Sequence, residues 1–139
     1  MYFRPAFFFV FSILLFSLSL TLLSATTINI PADYSTIQDG IDASVDGDII
    51  IISQGTYYEN LTLSKEITLK SNADFDALEG SDEWHSDPIV MSTIINGSLV
   101  NDPNKRSCLI IRDGDIQPTI KGLTFEEGIG TSMIVVDCD

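Results

Sequence analysis

The sequence predicts an all-β chain: a solenoid of short strands, closed at its start by one short helix and preceded by an export signal. Three observations carry this. Beyond residue 25, seven runs rich in β-branched and aromatic residues succeed one another, most of them bounded by Gly, Asn, Asp, Ser or Pro. Only one stretch, 35–45, shows the four-residue apolar spacing of a helix. Thr-Ile-type runs recur at Ile67, Ile94 and Ile120, 27 and 26 residues apart, which is the size of one solenoid coil.

The export signal is residues 1–25, MYFRPAFFFVFSILLFSLSLTLLSA. Arg4 supplies a short positive start. Residues 6–23 form an apolar run diluted only by serines and a threonine, and Ala25 offers a small residue for cleavage. An uncleaved membrane anchor is the other reading, because the run is close to spanning length. The absence of a positive flank after it favours cleavage. Residues 26–139 are then the exported domain, secreted or held at the cell surface.

All 20 acidic residues lie beyond the signal, against six basic ones. That balance keeps an exported chain soluble. It argues against nucleic acid, and against a membrane surface once the signal is cleaved. Cys108 and Cys138 are the two cysteines, too few for a disulfide framework or a structural zinc site. In an oxidising compartment they can pair with each other, or they are two small buried hydrophobes.

The exported part opens with a strand-like piece at 27–30, stopped by Pro31. Ser35 with Gln38 reads as a capping box. Ile37, Ile41 and Val45 give the helix its apolar stripe, Gly40 weakens it, and Asp46-Gly47-Asp48 ends it in a turn. Strands are expected over 49–53, 57–63, 67–71, 89–97, 109–112, 118–126 and 133–137. No further helix intervenes, so a sheet with helical crossovers is excluded. An antiparallel sandwich and a solenoid remain, and the recurrent runs select the solenoid. Ile50 or Ile52, with Leu69, Ile94, and Ile120 or Leu123, should line one dry interior.

The segment IPADYSTIQDGIDASVDGDIIIISQGTYYENLTLSKEITLKS resembles the opening of right-handed parallel β-helix proteins with the pectin-lyase fold. The matching features are Pro31, Ser35 to Gln38, Gly47-Asp48, the four isoleucines from Ile49, and Gly55 to Asn60. TIKGLTFEEG, from Thr119, resembles a later coil. The resemblance spans nearly all of residues 28–130 and implies a β-helix with an N-terminal capping helix. It implies an interior stacked with aliphatic side chains and glycines at the corners. The final residues MIVVDCD stop within a strand pattern, so the domain is expected to be truncated at its C-terminal end.

Relatives of that fold include pectate lyases and pectin methylesterases. They use paired aspartates with an arginine, or calcium-binding acids with a basic residue. This chain offers Arg106 and Arg112 with Asp113 and Asp115, but IRDGDIQP reads as a turn and no segment matches a lyase or esterase motif. No catalytic residue is carried over. The expected function is an exported or cell-surface module, a scaffold or polysaccharide-binding domain. The alternatives are the N-terminal part of a lyase or esterase-like enzyme, and a stalk or adhesin segment.

The acidic segment NADFDALEGSDEWHSDP, 72–88, breaks the strand rhythm and reads as an insertion from a corner. Asn72, Asp74, Asp76 and Glu83 fall at positions 1, 3, 5 and 12 of a calcium-loop pattern. Ala77 stands where that pattern wants glycine, and a solvated acidic loop is the plainer reading. Trp84 can stack on a sugar ring or pin the loop to the surface. His85 has no inferable partner for general-base work. Asn60-Leu61-Thr62 and Asn96-Gly97-Ser98 match the glycosylation sequon, which counts in a eukaryotic secretory path. Both also fit turn chemistry, with Asn60 as a structural asparagine.

Overall fold

The computed structural model describes residues 24–98, 107–112, 115–128 and 133–135. The expected export signal, residues 1–25, therefore falls almost wholly outside the described residues, as do Cys138, Arg106 and Asp113. The described chain is mostly β, with parallel sheets and few helices.

After β1 (Thr27–Ile30) and α1 (Ile37–Ala43), the chain makes three similar passes. The first lays down β2 (Ile49–Ile52), β3 (Gly55–Tyr58) and β4 (Leu61–Leu63). The second adds β5 (Thr68–Ser71), β6 (Thr93–Asn96) and β7 (Leu109–Ile111). The third adds β8 (Thr119–Lys121), β9 (Thr124–Glu126) and β10 (Met133–Val135). Each pass contributes one strand to each of three sheets, ordered β1-β2-β5-β8, β3-β6-β9 and β4-β7-β10. Every pair is parallel, a solenoid-like arrangement in which backbone bonds run from pass to pass.

The four isoleucines of β2 follow from this geometry. Successive side chains of a strand point to opposite faces. Ile50 and Ile52 are fully buried, while Ile49 and Ile51 are half-buried on the outer face. In register with Ile50 stand Ile28, Leu69 and, through Leu69, Ile120. Leu61, Leu63, Ile95 and Leu109 join the same core from the other two sheets.

Several expectations are corrected. The recurrence of Ile67, Ile94 and Ile120 is not the repeat of the fold. Leu69 pairs with Ile50, 19 residues earlier, and with Ile120, 51 residues later, whereas Ile94 belongs to another sheet. The second pass is lengthened by the insertion before β6 and by the segment between β6 and β7, and two unequal additions happened to divide the interval evenly. Ile94 is only half-buried. Its neighbour Ile95 is the core residue, because the strand starts at Thr93 with that side chain inward, and one residue of phase exchanges the faces. The expected strand over 89–97 is a helix, α3 (Pro88–Ser92), followed by β6. The expected strands 57–63 and 118–126 are each two strands meeting at a corner.

Helix α1 packs on β1, β2 and β4 and buries Ile37 and Ile41 against the first pass. Its N-cap is Thr36, not Ser35: the Thr36 hydroxyl accepts from the Asp39 N–H at 3.1 Å. Val45 lies past the helix end and is 48% exposed. Gln38 is occupied elsewhere. Its side-chain carbonyl accepts from the Thr62 N–H at 2.8 Å, and its amide donates to the Thr62 carbonyl at 3.2 Å. A single side chain thus stands in for a neighbouring strand on the open edge of β4.

Candidate functional site

Several charged and polar side chains hold backbone together. The Glu59 carboxylate accepts from the N–H groups of Ile37 and Gln38, at 2.9 and 3.0 Å, in the first turn of α1. Lys65 closes the other end, donating to the carbonyls of Ile41, Asp42 and Ser44 at 2.7–2.8 Å. Asp48, 3% exposed, accepts from the N–H groups of Thr26 and Val45. The bonds from Val45 and then Thr26 hold its carboxyl below the usual carboxylate range, against the opposing effect of burial. Asn60 donates to the carbonyls of Gly97 and Ser107, both at 3.0 Å, and so ties the first pass to the second.

The exception is the insertion. Asp74 caps α2 (Phe75–Leu78) by accepting from the Ala77 N–H at 3.2 Å. A 3-10 turn follows at Glu83–Ser86. Asp87 then accepts from both the Ile89 and Val90 N–H groups at 2.9 Å, and Pro88 begins α3. The insertion is fastened to the sheets at its C-terminal end. Thr124 of β9 donates to the Val90 carbonyl at 2.9 Å, and Gln54 at the β2–β3 corner donates to Ser92 at 2.8 Å. At the β8–β9 corner, Gly122 has a positive φ of 62°, and a β-carbon there would lie 2.7 Å from the Ser71 hydroxyl and 3.0 Å from the Phe75 ring. Only glycine leaves room for Phe75 to dock.

Docked this way, the insertion leaves a depression on either side of Trp84. One, of about 560 Å³, is lined by Trp84, His85, Val90, Met91, Leu123 and Glu126, among others. The other, of about 410 Å³, is lined by Phe75, Asp76, Glu79, Trp84, Ile120, Lys121 and Gly122. Both lie largely open to solvent rather than enclosing a ligand. The Trp84 ring packs on Phe75 with centroids 5.4 Å apart, tilted by 35°, and the Lys70 ammonium sits 5.6 Å from the Phe75 centroid on the neighbouring strand. Half-buried Trp84 therefore pins the insertion and, together with Gly122, lines both depressions.

The other expected site residues are dispersed. Asp74 is a helix cap, Asp76 lines the second depression, Glu83 opens the 3-10 turn and Asn72 is exposed at the end of β5. Among the described residues no three His, Cys, Asp or Glu side chains converge to hold a metal ion. His85 is exposed beside Trp84. Cys108 is buried, its sulfur 3.1 Å from the Glu126 carbonyl, and a pairing with Cys138 lies outside the described residues. Residues that the sequence reading missed are Gly122 and Glu126. The signal for the former was present in Lys121-Gly122-Leu123, which interrupts a strand pattern as a corner glycine does.

No protein-family model and no solved structure matches the chain. A stretch of 47 residues, 32% of the chain, is 43% identical to part of a cell surface glycoprotein of Methanothermus fervidus, and covers only 8% of that protein's length. No described helix is long and apolar enough to cross a membrane.

Proposed function

We propose that this chain is an exported, surface-located right-handed parallel β-helix of the pectin-lyase kind, serving as a scaffold that binds polysaccharide at Trp84. Cleavage after Ala25 would start the mature protein at Thr26. The cell-surface assignment is supported by the partial likeness to a cell surface glycoprotein. The observation that carries the binding site is Trp84, in the 3-10 turn of the insertion, standing between two depressions whose other sides are β8, β9 and their corner. An indole presents an apolar face to the C–H groups of a sugar while carboxylates beside it accept from hydroxyls. Here Asp76, Glu79 and Glu126 supply acceptors, and Lys121 is the one Lys or Arg side chain lining either depression among the described residues. That charge balance favours neutral sugars over uronates.

The test is calorimetric titration of the exported chain with neutral galactan and glucan oligosaccharides and with polygalacturonate. Neutral oligosaccharides should bind with Kd of about 1 mM, in keeping with a small contact area, and Trp84→Ala should abolish the heat. Equal binding by polygalacturonate, or binding indifferent to Trp84, contradicts the reading. Incubation with methylated pectin and polygalacturonate should yield neither methanol nor unsaturated product. Turnover lost in Asp115→Asn would replace the scaffold reading with an enzyme.

A further inference from the structure

The sequence carries two Asn-x-Ser/Thr signals, at Asn60 and Asn96. We infer that the fold closes both, so that neither asparagine accepts an N-linked glycan once the passes have stacked. Transfer requires the side-chain nitrogen to attack the anomeric carbon of a polyprenyl-diphosphate-linked oligosaccharide. The new C–N bond forms as the C–O bond to the diphosphate breaks and the nitrogen loses a proton. Such a nitrogen must be reachable, and so must the hydroxyl two residues on that marks the signal.

At Asn60 neither is. The nitrogen donates to the carbonyls of Gly97 and Ser107, which uses both its hydrogens. Leu61 is fully buried in the core. Both backbone groups of Thr62 are paired with Gln38, and its hydroxyl is enclosed without a partner. The signal is thus blocked at the two atoms that matter: the half-buried Asn60 spends its amide hydrogens on carbonyls, and the Thr62 hydroxyl oxygen is enclosed. At Asn96 the residue is 8% exposed, with its backbone in β6 between β3 and β9. Its side-chain oxygen accepts from the Ser98 N–H at 3.0 Å. Gly97 is packed so closely that a β-carbon would lie 2.9 Å from the Cys108 sulfur. Asn60 is thereby assigned as a clamp between passes, and both signals are legible to a transferase only in the unfolded chain.

The experiment offers the full chain, native and urea-unfolded then diluted, to a eukaryotic-type oligosaccharyltransferase with its lipid-linked donor, and locates the glycan by peptide mass. The unfolded chain should be modified at Asn60 and the native chain at least 10-fold less. Equal occupancy of Asn60 in the native chain overturns the inference. A second measurement separates a clamp from a merely inaccessible site. Asn60→Asp, which keeps the shape and removes both donors, should lower the melting temperature by roughly 5–10 °C. An unchanged melting temperature contradicts the clamp.

Discussion

At the scale of single residues, the charged side chains divide by what they touch. Asp48 accepts from two N–H groups and releases its proton more readily in the folded chain than in the unfolded one. Its stabilisation is complete above the unfolded aspartate value of about 3.9 and is lost as pH falls through its lower folded value. Denaturant titrations should therefore show stability falling below about pH 4, and Asp48→Asn should flatten that acid limb. Tyr57 has the opposite sense. Burial, then the Glu59 charge, raise its pKa, so its contribution holds up to about pH 10 and is lost above. Gly122→Ala would strain a left-handed backbone and push on Ser71 and Phe75. It should cost about 1–3 kcal/mol. Because Trp84 is the chain's one tryptophan and rests on Phe75, its fluorescence should shift to the red in the same variant.

At the scale of elements, α1 shows how one short helix is held by distant parts of the chain. Glu59 bonds its first turn and Lys65 its last, from either end of β4. Lys65→Met keeps the apolar stem and removes three bonds to carbonyls. It should lower stability by about 1.5–3 kcal/mol in urea unfolding. The strands themselves were legible, because β-branched runs bounded by turn residues mark each of them. Their corners were not. Glu59-Asn60 interrupts the run from Tyr57 to Leu63, yet two polar residues also fit an exposed strand face, and only the structure shows Glu59 bonding to α1 and Asn60 to the next pass. The helix α3 was missed because Ile89 and Val90 look like strand residues, although Asp87-Pro88 is a helix start. The docking of the insertion was also illegible. It depends on Gly122, which lies far from Phe75 in sequence and one pass later in space.

At the scale of the whole molecule, parallel stacking brings together residues that the sequence keeps apart. Ile50, Leu69 and Ile120 form one ladder, and Leu69→Ala would open a hole in it that neighbouring passes cannot close, at a cost of about 2–5 kcal/mol. The same stacking sets β8 and β9 beneath the insertion and so creates both walls around Trp84. Fold and candidate site therefore stand on one claim, the in-register parallel pairing of successive passes. A nuclear Overhauser spectrum of labelled residues 26–139 tests it most directly. The expected result is side-chain contacts from Ile50 to Leu69 and from Leu69 to Ile120, together with contacts from the Phe75 ring to the Gly122 α-protons. Short α-proton to α-proton contacts between β4 and β5, the mark of an antiparallel hairpin, would contradict it.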